Sequence, residues 1–210
     1  MEFGKVMKKN QEIEVKLQIK NNEETKKIFA WLKKNAQSDL QTIKMKAVYY
    51  DTKSGFFHKH KIAYRVRQEN KSIVATYKSG RVNKNGVFER IEINKMIKNV
   101  EPDITVFADE TSIWEVVKTV QSVDLEPIVV TDFIRHCILM KWKNSQIEVA
   151  LDLGTVWGKS NKNPICELEL ELKNGNQSDL LDLKDKLLEK FIVELSTISK
   201  YKRGLILAGL

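Results

Sequence analysis

Two cysteines, three prolines and nine glycines are spread through 210 residues. Two cysteines cannot build a disulfide scaffold. Cys137 and Cys166 sit in strand-like sequence and read as reduced packing residues. No Pro/Ser-rich tract, internal repeat or low-complexity segment separates the chain into parts, so one domain over residues 1–210 is expected. No apolar run approaches the roughly 20 residues needed to cross a bilayer. The start, Met1 to Asn10, is basic but has no apolar centre of a signal peptide, so a cytoplasmic protein is expected. No Ser/His/Asp grouping, Gly-rich phosphate loop or thiolate zinc pattern is present. His58, His60 and His136 lack metal-ligand spacing and read as surface or packing residues.

Charge is plentiful. Lys+Arg 36 against Asp+Glu 28 gives a formal +8, and 42% of residues are hydrophobic. A basic excess suits an anionic partner. Exposed aromatics interleaved with Lys and Arg, which single-stranded nucleic acid would need, are missing.

The charges fall into stripes. In Glu12-Ile13-Glu14-Val15-Lys16, continuing to Lys20, alternate residues share a face of a strand. Glu12, Glu14 and Lys16 lie on one side, and Ile13, Val15 and Leu17 on the other. The same parity puts Arg65 with Arg67, Thr76 with Lys78 and Arg90 with Glu92. It also groups Glu148 with Asp152, and Glu167 with Glu169 and Glu171. The strands are expected at Ile43–Thr52, Lys61–Gln68, Ser72–Lys78, Val87–Asn94, Ile128–Lys143, Gln146–Trp157 and Pro164–Lys173. Ser79–Gly86 and Gly158–Asn163 read as loops. Helices are expected at Glu23–Asn35, Ile113–Ser122 and Ser178–Leu195, with a short closing helix at Ser199–Leu207 that carries Lys200 and Arg203.

Alternation alone does not say which face fills a barrel, since small barrels ordinarily bury the apolar one. The amphipathic helices decide it, because they need an apolar surface to dock on and the strand faces supply the only large one. The charged faces are then left inside. A lumen holding glutamates about 7 Å apart on one strand calls for a hard divalent cation, Mg²⁺ or Mn²⁺. Its Arg and Lys groups call for an extended polyanion.

These residues resemble a known family. Glu12-Ile13-Glu14-Val15-Lys16 is similar to the ExExK signature of the CYTH domains, or triphosphate tunnel metalloenzymes. The likeness continues through Tyr49-Tyr50-Asp51-Thr52, Tyr64 to Arg67, Thr76 to Lys78, Arg90 to Glu92, Thr131 to Arg135, Gln146 to Gly154, Pro164 to Leu172 and Ser199 to Gly204. Within the family, the bacterial inorganic triphosphatases are most similar, without the helical CHAD domain that many of them carry. The resemblance implies an α+β fold: a closed eight-stranded antiparallel β-barrel, or tunnel, with helices outside. It implies metal-dependent hydrolysis of inorganic triphosphate, with Glu12, Glu14, Asp152, Glu167 and Glu169 as catalytic and metal-binding acids. Lys16, Arg65, Arg67, Lys78, Arg90, Arg135, Lys200 and Arg203 are the implied substrate-binding set. Adenylyl cyclase, thiamine triphosphatase and nucleoside triphosphatase activities share these groups. For an organic substrate, Tyr49, Tyr77 or Trp157 could offer an aromatic shelf. A non-catalytic polyphosphate binder is less well served by the acids. The expected partner is a small triphosphate compound, with no nucleic acid or membrane, and the protein a monomer or homodimer.

Overall fold

The computed structural model describes residues 10–36, 39–83 and 85–210. In chain order the elements are β1 (Gln11–Ile19), α1 (Asn22–Asn35), β2 (Gln41–Thr52), α2 (Phe56–Lys59), β3 (Ile62–Glu69), β4 (Ser72–Val82) and β5 (Val87–Ile97). Two 3₁₀ turns, Ile104–Phe107 and Thr111–Ile113, lead into α3 (Trp114–Val120). Then come β6 (Leu125–Trp142), β7 (Ser145–Gly158), β8 (Asn161–Asn174), α4 (Gln177–Lys190), β9 (Val193–Ser196) and α5 (Lys200–Ala208).

All strand pairs are antiparallel, in the order β5-β4-β3-β2-β6-β7-β8-β1, and β1 returns to β5 to close an eight-stranded barrel. β1 shares one edge between two partners. Its first half pairs with β5, from Gln11 opposite Ile91 to Val15 opposite Val87. Its second half, Lys16 to Ile19, pairs with β9. That division accounts for a departure from the sequence reading. Ser178–Leu195 is expected as one helix, but α4 stops at Lys190. The β-branched Ile192 and Val193 leave the helix because the end of β1 still has unpaired backbone groups. Glu24 helps the switch, accepting the backbone N–H of Ile192 at 3.0 Å.

The two expected loops are shorter than read. β4 and β5 stay paired out to Val82 and Phe88. β7 and β8 stay paired out to Gly158 and Asn161. Here the ladders run past the packed layer, both strand faces are wet, and alternation no longer marks a strand. Lys84 and Met1–Lys9 lie outside the described residues.

The apolar core is outside the barrel. Val15, Leu17, Leu168, Leu170, Val149 and Leu151 turn outward and are covered by α1 and α4 through Ile28, Leu32, Leu180, Leu183 and Leu187. The opposite side is covered by Phe107, Ile113 and Val117 packed on Tyr64, Tyr77 and Ile93. Tyr77 is therefore an outer packing residue, not a shelf at the mouth. Burying each such side chain stabilises the fold by about 1.5–3 kcal/mol. Asn21 caps α1 by accepting the N–H of Glu24 at 2.9 Å.

α5 closes over one end of the barrel through two glycines. A Cβ on Gly158 would lie 2.0 Å from the carbonyl oxygen of Gly204, and one on Gly204 would lie 2.2 Å from Val129 Cγ1. Gly158→Ala should therefore lift α5 and cost about 1–3 kcal/mol. Urea unfolding and faster amide exchange over residues 200–208 would register it, and wild-type values in both would refute this docking.

Candidate active site

Parity delivers the charged stripes to the inside. β1 contributes Glu12, Glu14 and Lys16, and β3 contributes Arg65 and Arg67. Lys78, Arg90, Arg135 and Glu169 come from β4, β5, β6 and β8, and α5 contributes Lys200. Glu92, Glu148, Glu171 and Lys173 line the same cavity, which has a volume of about 710 Å³. The lumen is not charged all round. Ile43, Met45 and Tyr49 of β2 face it, beside Phe133 and Cys137 of β6.

The charges form two linked groups. Glu12 accepts from Lys78 at 2.7 Å and from Arg90 Nε at 3.0 Å, while Arg90 also contacts Glu14. In the second group, Arg135 grips Asp152 with two bonds of 2.8 and 2.7 Å. Lys200 reaches Asp152 at 2.7 Å and Glu169 at 2.8 Å, and contacts Glu167. Arg203 contacts Glu167. Lys16 joins the groups, 3.1 Å from Glu14 and in contact with Glu169.

Burial works against the charges of Glu169, Lys16, Lys200 and Arg135, and the neighbouring charges overcome it. The Glu169 carboxyl resists desolvation because Lys16, Lys200 and Arg135 hold it well below the usual carboxylate range. Despite burial, Glu169 and Glu167 keep Lys16 above its ordinary value, and Asp152 and Glu167 do the same for Lys200. Arg67 is the exception. Burial and the nearby Arg65 push it down to about 10, and among the described residues it ion-pairs with Glu69 on its own strand.

Some buried groups keep bonding capacity to spare. Among the described residues, Nε of Arg65, of Arg67 and of Arg203 has no hydrogen-bond partner, nor do Glu14 Oε1 and Glu167 Oε1, although cations lie beside both carboxylates. In the ring of eight strands β3 stands four strands from β8 in either direction, so Arg65 and Arg67 belong to the strand opposite the one that carries Glu167 and Glu169.

The model of the CYTH domain matches residues 10–205. The chain belongs to the CYTH domain family. This CYTH domain is 32% identical to the inorganic triphosphatase of Haemophilus influenzae over 199 residues, which is 95% of this chain and 55% of that protein. It thus spans about half the length of the curated relative it matches. Among solved structures it resembles a Hippeastrum protein studied as an adenylyl cyclase and found to have a dominant triphosphatase activity. The TM-score is 0.65 at 18% identity, over 92% of this chain and 94% of that one. A protein of Pyrococcus horikoshii matches with a TM-score of 0.55 at 16% identity, over 93% and 98% of the two chains. These two likenesses establish the tunnel fold.

Within the CYTH lumen the implied metal-binding acids divide. Among the described residues, Asp152, Glu167 and Glu169 each offer an oxygen within 4.8 Å of the others, and all three are buried. Glu12 and Glu14 stand outside this triad, tied to it through Lys16. The triad fits a hard divalent cation in being all oxygen, with Lys200 now standing against all three acids and Arg135 against two of them. Tyr49 stacks on Tyr201 with centroids 5.0 Å apart and accepts a bond from Arg65 at 3.0 Å. Phe88 was not singled out by sequence, although it shares the inward parity of Arg90 and Glu92.

Arg67 yields a test. Its lowered value means that the folded protein disfavours its charge. Arg67→Met should therefore stabilise the ligand-free protein by about 1–3 kcal/mol while weakening inorganic triphosphate binding about tenfold or more. Denaturant titration paired with calorimetry checks both signs, and a destabilised variant that binds normally would contradict this placement.

Proposed function

We propose that this protein hydrolyses inorganic triphosphate to diphosphate and phosphate, using Mg²⁺ or Mn²⁺. One observation carries the reading: among the described residues, buried arginine Nε–H groups on β3 have no hydrogen-bond partner, while β7 and β8, in the wall across the barrel, carry a buried carboxylate triad. Buried polar groups are nearly always bonded. A guest able to complete both walls needs anionic oxygens along its length and a hard cation. A metal-chelated linear triphosphate has both. The Haemophilus influenzae inorganic triphosphatase supports the same conclusion.

Asp152, Glu167 and Glu169 would hold the cation, which when bound neutralises phosphate oxygens and acidifies a water. Arg65, Arg67, Lys78 and Arg90 hold the phosphates extended from one side, and Arg135, Lys200 and Arg203 from the other. The apolar wall of β2 keeps the surroundings low in dielectric, so that each contact counts for more. Positioning and charge neutralisation then supply the rate gain, with no covalent step on the protein.

An organic substituent is poorly served. The ring of Tyr49 is stacked on Tyr201, and the Arg65 guanidinium lies 5.7 Å from its centroid. Tyr77 is turned outward into the shell beside Phe107. Unsubstituted triphosphate is therefore favoured over ATP and thiamine triphosphate. Two free cysteines fit a cytoplasmic setting. Among the described residues, no helix is long and apolar enough to cross a membrane.

Phosphate release from inorganic triphosphate, ATP and thiamine triphosphate should show the first turned over fastest, with chelator abolishing all release. Asp152→Asn and Glu169→Gln should each lower kcat by about 10²–10³ while retaining a cooperative melt. Chelator-resistant turnover, or ATP as the preferred substrate, would overturn the assignment.

A further inference from the structure

Two phenylalanines break the charge pattern of the lumen. Phe88 shares the inward face of β5 with Arg90 and Glu92, and Phe133 shares that of β6 with Arg135. They are only 3% and 5% exposed. The Phe88 ring lies among charges, and that of Phe133 lies between charges and the apolar side of the lumen, where it packs with Met45, Tyr49 and Leu205.

Each ring carries two cations. Arg90 Cζ lies 4.6 Å and Lys16 Nζ 5.4 Å from the centroid of Phe88. Lys200 Nζ lies 5.0 Å and Arg135 Cζ 5.9 Å from the centroid of Phe133. All four are within the roughly 6 Å over which the negative face of an aromatic ring attracts a cation. Each arrangement is completed by an inward glycine on the adjoining strand. Gly80 stands opposite Arg90, where a Cβ would come within 2.7 Å of Arg90 Cα and 2.8 Å of its Cγ. Gly154 stands opposite Phe133, where a Cβ would come within 2.5 Å of Phe133 Cα and Cβ. The strands leave space for these rings and the cations on them.

We propose that Phe88 and Phe133 are positioning residues, whose ring faces hold Lys16 with Arg90 and Lys200 with Arg135 ready for phosphate. All four cations also contact lumenal carboxylates. Those carboxylates already hold each head group, and the ring adds a second hold that persists when phosphate and metal draw the cation and the acid apart. A neutral ring attracts the cation without repelling an incoming anion, as another carboxylate would. It also takes up none of the guanidinium or ammonium N–H groups that phosphate needs. The proposal rests on the triphosphate reading above.

The test replaces Phe88, or Phe133, in the full chain with 4-fluoro-, 3,5-difluoro- and 3,4,5-trifluorophenylalanine. Fluorine drains the negative ring face while nearly preserving its shape. Inorganic triphosphate binding is measured by calorimetry with Mg²⁺ present, beside the thermal midpoint of each protein. The expected result is a stepwise rise in Kd, reaching about tenfold with three fluorines, at an unchanged midpoint. Phe88→Leu should weaken binding similarly, and Phe88→Trp should restore it. A flat Kd across the series, with Phe88→Leu or Phe133→Leu lowering only the midpoint, would show that the rings merely fill space and would overturn the proposal. An unmodified protein that binds no inorganic triphosphate would overturn the triphosphate reading as well, so the two failures are distinguishable.

Discussion

Asp152 and Glu167 have no solvent exposure, and each is held by cations that are themselves nearly buried. Removing a charge from water costs several kcal/mol even after relaxation, and a nearby opposite charge recovers this only with good geometry. The fork of Arg135 on Asp152 and the convergence of Lys200 on three acids meet that condition. The remaining architecture accommodates this network. A barrel with ions inside can bury only a small apolar wall there, so most of the hydrophobic stabilisation has to come from an outer shell. α1, α4, α3 and the 3₁₀ turns supply it, packed on strand faces that a conventional small barrel would turn inward.

α5 belongs to both layers. Leu205 and Ala208 are buried where the helix meets the barrel end, while Lys200 points into the lumen. Ser199 opens the helix by accepting the N–H of Lys202, which sets the first turn carrying Lys200 and Arg203. The close approach at Gly158 and Gly204 thus determines how far these two cations reach. Packing at the barrel end and electrostatics at its centre are mechanically one feature.

Much of this was legible in the alternation of single strands. Glu12 with Glu14, Arg65 with Arg67, and Glu167 with Glu169 share a face whatever their neighbours do, because the strand period is two. Grouping between strands was not legible. Nothing local says that Asp152 lies opposite Glu167 while Glu14 lies opposite Glu171, since that depends on register across β7, β8 and β1. The division of the acids into a triad and an outlying pair therefore emerges only in three dimensions. β9 was hidden for a related reason: Val193 to Ser196 is a strand because β1 has an edge to fill. The face that β2 turns to the lumen is apolar, with Ile43, Met45 and Tyr49, while Lys44 and Lys46 point outward to solvent.

That neutral wall bears on how the lumen discriminates. Ile43, Met45 and Cys137 offer a bound phosphate nothing to hold, and Tyr49 already has Tyr201 and Arg65 against it. Strong contacts are confined to the basic strands and to α5, with the acids across the lumen left to a cation. A linear chain of phosphates presents the same oxygens along its whole length and can be gripped from several sides at once. On the proposed reading, an organic group in its place would sit among charges, with the ring of Tyr49 already flanked by Tyr201 and Arg65, and would strip those charges of partners. Under the proposed function, selectivity would arise from what the lumen leaves unsatisfied around the wrong guest, the more discriminating arrangement wherever the groups at stake are buried and charged.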